Sequence, residues 1–296
     1  MFYQTCLPQE ARDNRVSALV TLTPSESKRL IARGVAEIPE IKKALEKGLI
    51  IIARGTTNAF VAEEIIGMSI DAKADEYGRG LIAGGELRVN MKRAAERNIA
   101  SDFVLRQGKL DEIQPREAIK EFTGDDVFIK GASALDASGQ AAVLVADGDG
   151  GTIGWALPTV TARAAHLIVP VGLEKLIPSV VLASPKCGIF RFKYSTGLPC
   201  ALIPLINAKV VTELQAFELL TEVAATHVAS GGIGGSEGAV VLALEGSEAA
   251  IEQALELVKA IKGEAPVKPP QKTTPGAAIF NYNPKALRDS LGPPPA

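Results

Sequence analysis

The stretch Leu49–Gly67, LIIIARGTTNAFVAEEIIG, decides how the chain is read. Four apolar residues run straight into Arg-Gly-Thr-Thr-Asn, and a helical pattern ending in glycine follows. A short, wholly apolar run is the mark of a strand buried on both faces, as in a parallel sheet, and Gly67 supplies a helix stop. Strand, turn and helix therefore stand in the order a βαβ unit requires. Gly55 permits close backbone approach, Thr56 and Thr57 offer hydroxyls, and the first helical turn offers unpaired N–H groups at the positive end of its dipole. Such a turn holds a phosphate or a carboxylate. The competing reading is that Thr57 or Asn58 caps the helix, the commonest duty of such residues at a helix start. The turn by itself weighs evenly between them.

Outward from this unit the alternation continues. Before it, TPSESKRLIARGVAEIPEIKKALEKG opens with a Thr-Pro-Ser-Glu capping signature, and Leu30, Ile31, Val35, Ile38, Ile41 and Leu45 recur at helical spacing, with Pro39 dividing two helices. A first strand is expected at VSALVTL. After it, YGRGLIAGGELRV, DFVLRQGKL, DDVFIKG, AAVLVA, AHLIVPVG and SVVLAS read as strands or strand ends, and PREAIKEF and WALPTVTARA as helices. The expected class is α/β, a mostly parallel sheet with flanking helices. From about residue 200, CALIPLINAKVV, ELQAFELLTEV, ATHVASGGIGGSEG, AVVLALEG and SEAAIEQALELVKAIKG read as strand, helix, strand, strand and amphipathic helix, the order of a small α+β, ferredoxin-like module. The expected division is residues 1–200 for the α/β domain, 201–263 for the module and 264–296 for a Pro-rich extended tail containing the apolar cluster AAIFNY.

Composition narrows the classes of function. The chain has 296 residues, 47% hydrophobic and 22% charged, enough to bury a core without staples. Lys+Arg 32 against Asp+Glu 34 leaves a formal net charge of -2, which gives no global pull toward nucleic acid or an acidic membrane. Neither partner is expected. Cys6, Cys187 and Cys200 show no CxxC spacing and have two histidines, His166 and His227, for company, so neither a disulfide framework nor a metal site is read. The start MFYQTCLPQEARDNRV lacks a basic segment followed by an apolar one, which reads as no secretory signal, and no apolar run nears the roughly 20 residues that span a bilayer. A cytoplasmic protein with reduced thiols, assembling as a homo-oligomer and using no cofactor, is the expectation.

A second candidate region is VFIKGASALDASGQAAVLVADGDGGTIGWAL, Val127–Leu157. Lys130 follows a strand and can neutralise an anion; Gly150, Gly151 and Thr152 precede a helix and suit a second anion cradle. Asp136 or Asp147 can serve as a general base. For each aspartate alone, turn formation is the commoner role. DGDGG lacks the spaced oxygens and final Glu of a calcium loop. SGGIGGSEG reads as a hairpin connection, Cys200 as a buried thiol, and His166 and His227 as structural.

The series ALEKGLIIIARGTTNAFVAEEIIG, DVFIKGASALD, GGTIG and AHLIVPVGLEKLIP, residues 40–185, resembles the ribose-5-phosphate isomerase, glucosamine-6-phosphate deaminase and CoA-transferase superfamily, with its lactate-utilisation relatives. The resemblance implies an α/β fold and a phosphate loop at residues 55–58. It also implies action on a phosphorylated or carboxylated small molecule, such as a sugar phosphate or a CoA-linked compound. Lys130 would then stabilise developing negative charge. The chain departs from the pattern where bisphosphate isomerases carry GAD: here stand Gly131, Ala132 and Ser133, with Asp136 three positions beyond. A non-catalytic metabolite sensor or assembly protein using the same anion-binding loops is the alternative.

Overall fold

A computed structural model describes residues 1–5, 15–71, 73–90 and 102–270. The chain runs through β1 (Val16–Leu22), α1 (Pro24–Glu37), α2 (Pro39–Lys47), β2 (Leu49–Ile52), α3 (Thr56–Ile66) and the single turn α4 (Lys73–Glu76). Two hairpins follow, β3 (Gly80–Ala83) with β4 (Glu86–Val89) and β5 (Phe103–Arg106) with β6 (Lys109–Asp111). The middle of the chain holds α5 (Pro115–Ala118), β7 (Val127–Ile129), β8 (Ala134–Leu135), β9 (Ala141–Val145), α6 (Gly151–Ala162), β10 (His166–Pro170) and α7 (Val180–Ala183). The last third holds β11 (Ala201–Pro204), β12 (Ala208–Val211), α8 (Glu213–Thr221), β13 (Ala224–Gly231), β14 (Ala239–Gly246) and α9 (Glu248–Ile261).

The main sheet is mixed, with strand order β12-β10-β7-β2-β5-β6. β12, β10, β7 and β2 are parallel, and the β5–β6 hairpin adds two antiparallel strands beside β2. All four residues of β2 are buried because both faces of the sheet are covered. Successive side chains point to opposite faces. Ile51, Phe128, Leu167 and Val169 join one apolar cluster with Ile153 and Val160 of α6, while Ile50, Ile52, Val127, Ile129 and Ile168 join another with Ile31, Val35, Ile41 and Phe60 of α1 to α3.

The helices start where their side chains direct. Thr23 caps α1 in a reciprocal box with Glu26, and Pro39 opens α2 immediately after the first helix ends. Gly67, at φ 76°, closes α3. Two sequence expectations change. SVVLAS contains a helical turn, α7, capped by Ser179, and not a strand. CALIPLINAKVV is two strands: β11 pairs antiparallel with β9, while β12 crosses to the edge of the main sheet. Asn207, at φ 56°, makes the turn between them.

The C-terminal segment does not build a sheet alone. Its hairpin β13–β14 is completed by β1 from the other end of the chain, giving the order β1-β14-β13. Among the described residues this sheet has three strands, so the four-stranded ferredoxin-like pattern is not formed. SGGIGGSEG is the β13–β14 connection, as its glycines suggested, with five of them at positive φ. Lys262 pairs with Glu26 at 2.9 Å and Arg29 with Glu264 at 2.8 Å, fastening the chain beyond α9 to α1. AAIFNY lies outside the described residues. No helix among the described residues is long and apolar enough to cross a membrane.

Candidate functional site

Each parallel strand of the main sheet ends by delivering charged side chains to the same edge. β2 leads into Arg54, β7 into Lys130, β10 into the 3-10 turn Leu173–Lys175, and β12 into Glu213 at the start of α8. The antiparallel neighbour β5 begins one residue after Asp102, because Phe103 pairs with Ile52. The Arg54 N–H donates to Asp102 Oδ1 at 2.9 Å, and Arg54 Nε stands 3.5 Å from the same oxygen. Arg54 Nε and Nη1 are nonetheless buried without a hydrogen-bond partner. Carboxyl ends of parallel strands are where open α/β sheets place ligands.

The opening turn is resolved in detail. α3 begins at Thr56 with Gly55 as its N-cap, and no side chain caps it. Thr57 and Asn58 lie inside the first turn, so neither is the capping residue considered from the sequence. Asn58 is fully buried; its Nδ2 donates to Ala53 O at 2.6 Å and Ile129 O at 3.3 Å, pinning the ends of β2 and β7 together. Asn58 Oδ1 is buried without a partner. Gly55 adopts extended backbone, at φ 165°, and an added Cβ would meet Asn58 no closer than 3.9 Å. Neither conformation nor packing within the protein demands a glycine there.

Lys130 and Lys175 form the centre of this edge. The Lys130 N–H continues the sheet by donating to Ile168 O at 3.0 Å. Burial pushes its ammonium below the ordinary lysine range; Asp102 opposes that shift and Arg54 adds to it. Lys175 donates from Nζ to the Ala132 carbonyl at 2.9 Å. Burial first, then Lys28 and Lys130, push it down to about 8. Among the described residues neither amine has a carboxylate within ion-pair distance. The adjacent Glu174 is taken by Lys28 of α1 at 2.7 Å. Glu213 is fully buried, accepts the Leu173 N–H at 3.0 Å, and is pushed above the usual carboxylate range by burial. Ser27 of α1 faces Glu213 closely enough to favour its charge but falls outside hydrogen-bond geometry.

The second predicted region contributes differently. α6 does start at Gly151, so Gly150, Gly151 and Thr152 sit at a helix N-terminus as expected, with Gly150 at φ 77°. Asp147 Oδ1 accepts the N–H groups of Gly151 at 3.2 Å and Asp149 at 2.9 Å, so a carboxylate of the chain itself already occupies that turn. Arg79, just before β3, lies within electrostatic range of Arg54, Asp102 and Asp147. Asp136 stands apart. One oxygen accepts the Ser138 N–H and Oγ–H at 3.0 and 2.6 Å and the Gln140 N–H at 3.2 Å; the other accepts the Val180 N–H at 2.9 Å. Burial works against its charge, but these bonds hold the group below the ordinary aspartate value. Its carboxylate organises the β8–β9 turn and the start of α7.

Asp102, Lys175, Glu213 and Arg54 belong to no motif in the sequence. Their signal was charge placed directly against a strand or helix end, in ARG, SDFV, GLEK and VTEL. The thiols are remote from this chemistry: Cys187 and Cys200 are free, and burial raises Cys200 to about 11. His166 contacts Lys209 at 3.2 Å, and His227 contacts Ser230 within its own strand. No cluster of three or more His, Cys, Asp or Glu side chains suited to a metal occurs among the described residues. Two shallow hollows, of about 280 and 330 Å³, lie at the amino ends of the strands, beside His166 and Lys209 and beside Lys43 and Asp126. Neither is lined by a predicted site residue. No family model matches the chain, and neither a curated protein nor a solved structure shows significant similarity to it.

Proposed function

We propose that the protein binds a phosphorylated or carboxylated small molecule at the carboxyl edge of the main sheet. The observation that carries this reading is the convergence of Arg54, Lys130 and Lys175 from three adjacent strand ends, with Asp102 as the acid placed among them and Glu174 already paired. Desolvated cations such as Lys130 and Lys175, with no carboxylate in contact among the described residues, are costly, and an incoming anion relieves that cost. The uncapped first turn of α3, at Gly55, Thr56, Thr57 and Asn58, offers N–H groups to the same molecule. The superfamily resemblance adds a reaction to this reading: Lys130 stabilises negative charge that develops as a proton moves beside a carbonyl, as in sugar-phosphate isomerisation.

A second reading, binding without turnover in a metabolite sensor, is favoured by one observation: both oxygens of Asp136, the expected base, accept hydrogen bonds from the protein's own turn and helix start. Thermal shift of the whole chain with inorganic phosphate, sugar phosphates, CoA esters and small carboxylates tests the binding site. Stabilisation that disappears in Arg54→Ala and Lys130→Ala supports it; stabilisation unaffected by both substitutions refutes it. Turnover of the most stabilising compound then separates enzyme from sensor.

A further inference from the structure

We propose that Lys175 is a nucleophilic amine that forms an imine with an anionic substrate bearing an aldehyde or ketone. The inference rests on the anion-binding reading above and narrows its substrate to carbonyl compounds. It begins from placement. Lys175 ends the one-turn 3-10 helix that follows β10, and its Nζ is held by donation to Ala132 O at 2.9 Å, in the segment that also bears Lys130 and Gly131. Lys175 as a residue is half-buried at the strand ends, on the edge where the anion-binding reading places the ligand.

Burial does most to favour the free base of Lys175; Lys28 and Lys130 add to it, and Glu174 and Glu213, when charged, oppose it. Lys28 and Lys130 are like charges, while Glu174, the acid next to it in sequence, is committed to Lys28 at 2.7 Å. With the amine pushed down to about 8, about a quarter of it is neutral at pH 7.5, against about one part in a thousand for an ordinary lysine. A desolvated lysine beside a second cation is the usual way a protein makes an amine nucleophilic near neutral pH. Lys130 and Arg54 remain to grip the anionic group.

Glu213 supplies the complementary acid. It is buried at the start of α8 within electrostatic range of Lys175, and burial favours its protonated form. The Nζ lone pair attacks the carbonyl carbon, the C=O electrons move to oxygen, and transfer of the amine proton to that oxygen gives a carbinolamine. Glu213 then protonates the hydroxyl, which leaves as water as the nitrogen lone pair forms the C=N bond. The products are a protonated imine, one water and the Glu213 carboxylate.

The test uses the full chain with pyridoxal 5′-phosphate, a probe carrying both an aldehyde and a phosphate, in substoichiometric amount. Borohydride reduces any imine to a stable secondary amine, and peptide mass spectrometry locates it. The label is expected on Lys175, with half-maximal labelling near pH 8, and excess inorganic phosphate should suppress it. Lys175→Arg, which keeps the charge, should lose that label. Label spread over exposed lysines such as Lys42, Lys120 and Lys259, or half-maximal labelling near the ordinary lysine value, overturns the inference. Phosphate stabilisation of the wild type without label at Lys175 defeats the imine alone. Absence of any phosphate stabilisation defeats the anion-binding reading and the imine with it. Should Lys175→Arg fail to fold, the label map of the wild type decides unaided.

Discussion

The two ends of the same parallel strands are built on opposite principles. At the amino end, Asp126 is buried and accepts the N–H of Leu49 at 2.6 Å, the N–H of Thr123 at 2.5 Å and its hydroxyl at 3.0 Å. Lys209 pairs with Glu40 at 2.6 Å, and Lys43 with Asp125 at 2.7 Å. At the carboxyl end, Lys130 and Lys175 have no carboxylate in contact among the described residues, and Arg54 and Asn58 keep buried polar atoms unpartnered. Proteins satisfy buried polar groups almost everywhere, so groups left unsatisfied mark places kept for something other than stability. The amino end holds the fold; the carboxyl end is held by it.

Substitutions at the two ends should therefore move stability and binding in different proportions. Asp126→Ala, which strands the buried Leu49 donor and releases the Thr123 turn, should cost about 2–4 kcal/mol in urea denaturation, whereas Lys130→Met should cost nothing or gain about 1 kcal/mol while abolishing phosphate stabilisation. A loss at Lys130 equal to that at Asp126 would erase the contrast. A smaller effect concerns pH. The folded-state value of Lys175 is lowered, so its charged form is penalised fully below about 8, and the penalty fades as the pH rises toward the unfolded value. Lys175→Met should thus be more stable than the wild type at pH 7, by up to roughly 3 kcal/mol before screening at this partly exposed residue, and the gap should close between about pH 8 and 10.5. A gap that stays constant across that window shows that Lys175 is not desolvated. The smallest effect is at Gly55→Ala: stability should change by less than about 0.5 kcal/mol, since a Cβ has room, while phosphate affinity drops several-fold. Unchanged affinity would remove the α3 turn from the site.

The fold was legible wherever one local rule decided it. LIIIA had to be a covered strand, Pro39 had to divide two helices, and Gly67 had to end one. SVVLAS misled because its apolar residues read as a strand, whereas Ser179 caps a helical turn that buries Val180 and leaves Val181 and Leu182 exposed. The pairing of β1 with β14 joins residues too far apart for any local pattern to announce. The site was legible in the same measure. Lys130 stands out after an apolar run, but Lys175 and Glu213 look like ordinary surface charges until the sheet brings β10 and β12 side by side. The bonds that Asp136 accepts from Ser138, Gln140 and Val180 come partly from a distant segment, which no local pattern announces.

The pairing of Val16–Leu22 with Val240–Gly246 also sets a schedule. A ribosome adding roughly 5–20 residues per second releases the first of these strands about ten to forty seconds before its partner exists. Through that interval β1 is a bare edge carrying exposed Leu19, exposed to any other nascent chain with a matching strand. Completion of this sheet therefore waits for nearly the whole chain to be made.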